Sequence, residues 1–225
     1  MAAYWLKNAW HPNARYLNPE TWRHGEPLPP LPEHIAQLRF VAESHVAPPP
    51  GWKLVRQTRL LLVHPDTVIT LLAAQVAQIH IMPVKPDGPN WTAWIDFHWA
   101  RYTATHQDNP PHAPDFATRE AYFGNDDLVA GSALAVVDDD GAITGIGSLR
   151  QATGQMVDIG WFGTLAPDDV VTAAHLLRAL CKAALAQGIS TLVWEVDDTD
   201  EQLWALHRSM PATCKEVWLT WAHTE

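Results

Sequence analysis

Residues 132–150, SALAVVDDDGAITGIGSLR, constrain the fold more than any other stretch. Two apolar runs flank Asp-Asp-Gly, the turn chemistry of an antiparallel hairpin. A third strand, GQMVDIGWFGTLAP (154–167), follows directly. After it an amphipathic helix runs over about 168–187, stopped by Gly188 in the C′ position. STLVWEV (190–196) reads as a buried strand and KEVWLTWAH (215–223) as a last one. Between them TDEQLWALHRSM (199–210) reads as a short helix, with Thr199 and Gln202 at capping-box spacing. Upstream, IHIMPVK (79–85) is a short strand. WTAWIDFHWARYTATHQ (91–107) is a helix carrying Trp91, Trp94, Ile95, His98, Trp99 and Tyr102 at three-and-four spacing. ATREAYFGN (117–125) is a second, shorter helix that Thr118 caps. From residue 79 the order is β α α β β β α β α β. Such an order predicts an α+β fold: a mixed, mostly antiparallel central sheet with helices on both faces.

Residues 1–77 form a Pro- and Trp-rich extension, and residues 78–225 the main domain. Prolines at 27, 29, 30 and 32 fix φ and remove donors, so that stretch is extended or turn-rich. PEHIAQLRFVAESH (32–45) spaces Ile35, Leu38 and Val41 as a short helix does. WKLVRQTRLLLV (52–63) is strand-like, and HPDTVITLLAAQVAQI (64–79) reads as a helix with Pro65 in its first turn. Only one strand follows the late helix, so the 52–63 strand is expected to complete the sheet.

Net charge is −10, with acidic clusters at 125–127, 138–140 and 197–201 and no basic stripe. That pattern argues against a nucleic-acid partner and suits a cationic one, although solubility alone also accounts for it. The longest apolar run, VITLLAAQVAQIHIM (68–82), is interrupted by Gln75, Gln78 and His80 and is too short to span a bilayer. The N-terminus lacks the layout of a signal peptide, and Cys181 and Cys214 make no disulfide framework. The expectation is a cytoplasmic protein with no membrane partner, in which the Trp- and Pro-rich segment makes a dimer contact or roofs a substrate groove. His98, His106 and His112 lack a metal-ligand spacing, so no metal site is predicted.

The chain resembles the GNAT superfamily of N-acetyltransferases over about residues 78–225. The resemblance rests on the first strand and paired helices, on the hairpin LAVVDDDGAITGIGSL, and on the late helix TDEQLWALHRSMP. It implies direct transfer of an acyl group from acetyl-CoA to an amine of a small molecule or peptide. The strand VDIGWFGTLA would splay from its neighbour, placing Thr164, Leu165 and Ala166 against the pantetheine arm. The family's Gln/Arg-x-x-Gly-x-Gly/Ala pyrophosphate loop falls on Asp168, Val171 and Ala173, of which only Ala173 keeps the pattern. Glycine there lets backbone approach phosphate, and the helix N-terminus favours the anion. Asp168 and Asp169 read instead as N-cap carboxylates. In the late helix the family's Asn falls on Asp200 and its Tyr, which protonates the departing thiolate, on His207. His207 can equally be a surface side chain packed beside Trp204. Asp158 is the first candidate for general base and Glu195 the second. Two further readings stand beside transfer from acetyl-CoA. One is a catalytically inactive GNAT-like binding or oligomerisation protein. The other is a different acyl donor held by Arg150 or Lys182.

Overall fold

The protein is described from a computed structural model, over residues 4–7, 10–18, 21–22, 26–31, 33, 35–41, 48, 50–74, 79–112, 114–124, 127–151 and 156–224. Three short strands, β1 (Trp5–Lys7), β2 (Ala14–Leu17) and β3 (Gln37–Val41), lead to the long β4 (Trp52–Val63). Then come α1 (Pro65–Leu71), continued by a 3₁₀ turn at Leu72–Ala74, and β5 (His80–Pro83). The helices α2 (Trp91–Thr105) and α3 (Phe116–Phe123) precede the hairpin of β6 (Leu134–Val137) and β7 (Ile143–Gly147). The chain continues through β8 (Leu149–Gln151), β9 (Val157–Ile159), β10 (Gly163–Thr164) and α4 (Val170–Ala186). It finishes with β11 (Leu192–Asp197), α5 (Glu201–Arg208) and β12 (Thr213–His223).

The strands form an eight-stranded sheet, β1-β2-β3-β12-β4-β11-β9-β8, and a four-stranded one, β10-β7-β6-β5. The hairpin forms as its turn residues dictate: Asp138 accepts the amides of Asp140 and Ala142 through Oδ1. The third meander strand divides. Its first part, β9, pairs with β8 and runs parallel to β11, whereas β10 pairs with β7 in the other sheet. Between them, at Gly160–Phe162, the chain leaves one sheet for the other, and β10 diverges from β11. That divergence is the splay on which the site is built.

The 52–63 stretch does supply a strand, and an interior one. β4 pairs with β11 on one side, Val63 opposite Leu192 and Thr58 opposite Asp197, and with β12 on the other. Alternation then sorts the side chains. Leu61 and Val63 of β4, with Leu192, Trp194 and Val196 of β11, join a core under α1, α4 and α5. On the opposite face α2 and α3 bury Trp94, Ile95 and Phe123 against Ala135 and Ile146. Along α4 the buried positions Ala173, Leu176, Leu177, Leu180 and Ala184 form one stripe, and Gly188 at φ +76° ends the helix.

Three local expectations are corrected. The segment read as a helix over 32–45 contains a strand, because β3 adds to the open edge of β12 with Leu38 opposite Trp221; residues 42–47 lie outside the described part. The cap of α3 is Asp115, whose Oδ1 accepts the Thr118 amide, so Thr118 is the capped residue. The cap of α5 is Asp200, one residue beyond Thr199, and it leaves Gln202 free for another task. The helix expected over 64–79 is described to Ala74, and residues 75–78 lie outside the described part.

Candidate functional site

The splay puts the outward backbone groups of Phe162 and Thr164 toward α5 instead of toward a neighbouring strand. Both sets are taken by side chains of this chain. Arg101, from the middle of α2, donates Nε to the Phe162 carbonyl at 2.8 Å and Nη1 to the Thr164 carbonyl. Its Nη2 is paired with Asp200 at 2.7 Å. Gln202 accepts the Thr164 amide at 3.0 Å through Oε1. Its two Nε2 protons are shared among the Thr164 hydroxyl at 2.7 Å and the carbonyls of Ala166 and Asp169, each at 2.8 Å. Arg101 is 3% exposed, Asp200 5% and Gln202 not at all. Buried polar groups need partners, and here each satisfies the other. Gly163 makes the close approach feasible: it adopts φ +119°, and a Cβ there would lie 2.8 Å from the Arg101 guanidinium and closer still to Gln202.

Thr164, expected against a pantetheine arm, therefore has both its backbone groups occupied, Ala166 has its carbonyl occupied, and Leu165 is turned to solvent. At the start of α4 a side chain of this protein also takes a backbone amide. Asp169 Oδ1 caps the Thr172 amide at 3.0 Å, Val171 is exposed and Ala173 is buried in the core. Asp168 and Asp169 place negative charge at the helix end that would have to receive a pyrophosphate. These residues do not fit a bound acetyl-CoA. Of the alternative phosphate ligands, Arg150 is engaged by Asp127 and by the carbonyls of Tyr122 and Phe123, and Lys182 is exposed on α4.

The sheet face below α2 and α3 is, by contrast, open. A cavity of about 240 Å³ runs from β9 to the splay, walled by Tyr122 and Trp161. Five carboxylates line it: Asp127, Asp158, Glu195, Asp197 and Asp200. Four are matched by arginines: Asp127 by Arg150 at 2.7 Å, Glu195 by Arg39, Asp197 by Arg56 at 3.8 Å, and Asp200 by Arg101. Among the described residues Asp158 has no ion pair and no hydrogen bond through its carboxylate. Burial, together with the negative charges of Glu195 and Asp127, raises its pKa to about 6. At neutral pH it is an ionised, unmatched carboxylate in a cavity that two aromatic rings also line, which is a recipe for holding an organic cation.

Asp158 and Glu195 thus share one cavity, as the strand register of β9 beside β11 requires. His207 does not line it. Its Nε2 lies 3.2 Å from Arg59 Nη1, so it accepts from the guanidinium, and its ring stands edge-on to Trp194 and Trp204. Burial, Arg59 and Arg208 lower its pKa, which keeps it neutral. The packing beside Trp204 is the part of the His207 reading that the structure displays. Arg101 and Gln202 are the residues the sequence reading missed. An arginine on the buried stripe of α2, seven residues after Trp94 and three after His98, was the available signal. Gln202 carried none.

Neither a protein-family model nor a curated protein sequence matches the chain. Solved structures do. A conserved protein of unknown function from Staphylococcus epidermidis superposes with TM-score 0.56 at 11% identity, covering 84% of this chain and 73% of that one. A GCN5-related N-acetyltransferase from Sphaerobacter thermophilus superposes with TM-score 0.55 at 14% identity, covering 84% of this chain and 60% of its own. A GNAT-family acetyltransferase from Colwellia psychrerythraea gives 0.54 at 12%, covering 84% and 65%. The chain thus spans less than two thirds of the length of the last two proteins. At such identities the likeness shows the fold.

Proposed function

Starting from the fold of the GCN5-related N-acetyltransferases, which this chain has, we propose that it is an amine-binding protein that makes no use of acetyl-CoA. The acceptor side of the fold is kept and the donor side is filled. One observation carries the reading: the hydrogen-bonding edge of β10 is saturated by Arg101 and Gln202. To admit a pantetheine arm the protein would have to break the buried Arg101–Asp200 pair as well. Removing one partner of such a pair costs about 3–5 kcal/mol. The ligand's ammonium group sits at Asp158, between Trp161 and Tyr122.

Direct acyl transfer to that amine is a second reading, and one observation favours it. A carboxylate whose pKa is raised to about 6 is a better base than an ordinary aspartate. This reading needs Arg101 and Gln202 to swing out before each turnover.

Titration with n-hexylamine at pH 7.5 tests the primary reading. Saturable binding is expected, weakening as pH falls through about 6 when Asp158 protonates. Asp158→Asn is expected to weaken it at least tenfold. Affinity that ignores both pH and that substitution would defeat the assignment.

A further inference from the structure

A second cavity, of about 160 Å³, adjoins the first and shares with it Tyr122, Trp161, Glu195 and Asp197. Its floor is a row set by strand register. Arg39 of β3 stands opposite Thr220 of β12, and Thr220 opposite Arg56 of β4. On adjacent strands such neighbours lie about 5 Å apart on one face. All three side chains line the cavity, and each brings a buried polar atom with no hydrogen-bond partner among the described residues: Arg39 Nε, Thr220 Oγ1 and Arg56 Nε. Arg56 is 5% exposed and Thr220 4%. Buried donors without acceptors are costly, so this row is a place where a ligand supplies oxygen.

The charge balance says which oxygen. The Arg39 guanidinium is matched by Glu195, and that of Arg56 by Asp108 at 2.6 Å and Asp197 at 3.8 Å. Two positive and three negative groups leave no surplus to hold an anion. The histidines on the wall add none, since burial and Arg56 lower the pKa of His11 and bring that of His106 to about 3. A neutral carbonyl fits; a carboxylate does not. Length then restricts the ligand further. Asp158 is level with Val193 and so with Leu62 of β4, whereas Thr220 is level with Arg56, six residues away. At about 3.3 Å per residue that is on the order of 20 Å along the sheet, shortened by the two long arginine side chains.

Resting on the amine-site reading above, we propose that the joined cavities take the N-terminal segment of an extended peptide. Its α-ammonium group sits at Asp158, and backbone carbonyls further along accept from Arg39, Thr220 and Arg56. The aromatic walls, Trp10, Tyr102 and Trp161 among them, pack against the planar amides.

The test is a calorimetric comparison of three probes on the full chain: tetra-alanine amide, tetra-alanine with a free carboxylate, and n-hexylamine. The amide is expected to bind at least fivefold more tightly than hexylamine, and the free carboxylate no more tightly than the amide. Thr220→Val, nearly isosteric and suited to a strand, is expected to weaken the amide by roughly two- to tenfold, the worth of one hydrogen bond, and to leave hexylamine unchanged. Arg39→Lys, which keeps the charge opposite Glu195 but removes Nε, is expected to do the same. Melting curves establish that both variants fold. Equal affinity for amide and hexylamine, or a Thr220→Val effect common to both, overturns the peptide site while leaving the amine site standing. If no probe binds, the amine-site reading itself fails and this one falls with it.

Discussion

Thr164 and Gln202 close on each other twice: the Thr164 amide donates to Gln202 Oε1 at 3.0 Å, and Gln202 Nε2 returns to the Thr164 hydroxyl at 2.7 Å. With Arg101 on the adjacent carbonyls, this reciprocal contact turns the splay from a ligand groove into part of the protein interior. The stability of the fold and the proposed loss of the cofactor role then rest on the same contacts, and both can be measured.

Arg101→Met is expected to destabilise the protein by about 3–5 kcal/mol, because it leaves the buried Asp200 carboxylate and the carbonyls of Phe162 and Thr164 without this partner. Pairing it with Asp200→Asn is expected to recover part of the loss. Urea denaturation of the two single variants and the double variant measures this coupling. Additive losses would mean that the two side chains do not support one another.

Asp158 should leave a pH signature on stability. Its folded pKa, about 6, lies above the ordinary carboxylate value of 3.8. The folded state therefore holds this proton more firmly than the unfolded state between those values, and Asp158 costs stability as pH rises through them. Asp158→Asn is expected to melt higher than wild type at pH 7.5 and at the same temperature near pH 4. A variant that melts lower at pH 7.5 would show that the ionised carboxylate is compensated.

His98 should act in the opposite direction. It is fully buried between Trp94 and Phe123 with no hydrogen-bond partner among the described residues on either ring nitrogen, and burial, Arg150 and Arg101 hold its pKa well below 6.5. A base kept neutral in the fold supports stability above the unfolded pKa and loses that support as pH falls below it. Each such group contributes a slope of up to about 1.4 kcal/mol per pH unit. His98→Leu is expected to flatten the fall in stability between pH 6 and pH 5 by roughly that amount. An unchanged slope would assign the acid sensitivity to other groups.

The position of β4 makes a prediction about the extension. Both edges of this strand are paired, so a chain lacking residues 1–63 would lose the strand between β11 and β12. Expression of residues 64–225 is expected to give insoluble protein. A soluble fragment with native-like circular dichroism would mean that β11 and β12 can pair directly.

Much of this was legible in the sequence where local chemistry decides the outcome. Asp138 and its neighbours turn the hairpin, the buried stripe of α4 follows its period, and Gly188 stops the helix. Legibility failed where a partner distant in sequence decides. Ile35, Leu38 and Val41 have helical spacing, yet the open edge of β12, some 180 residues away, draws Gln37–Val41 into a strand. The candidate site divides in the same way. That Asp158 and Glu195 share a cavity follows from strand alternation, which places both carboxylates on one face. The closure of the splay was not, because it depends on Arg101 and Gln202 meeting across 101 residues of chain. His207 was matched by position in a helix, and position does not report that Arg59 holds its ring.

Calorimetric titration of the full chain with acetyl-CoA, read together with the melting temperature, tests the central claim most directly. With β10 sealed by Arg101 and Gln202, the prediction is no heat of binding at millimolar ligand and no shift in melting. Micromolar affinity with a raised melting temperature would contradict it, and would mean that both side chains leave the splay when the cofactor arrives.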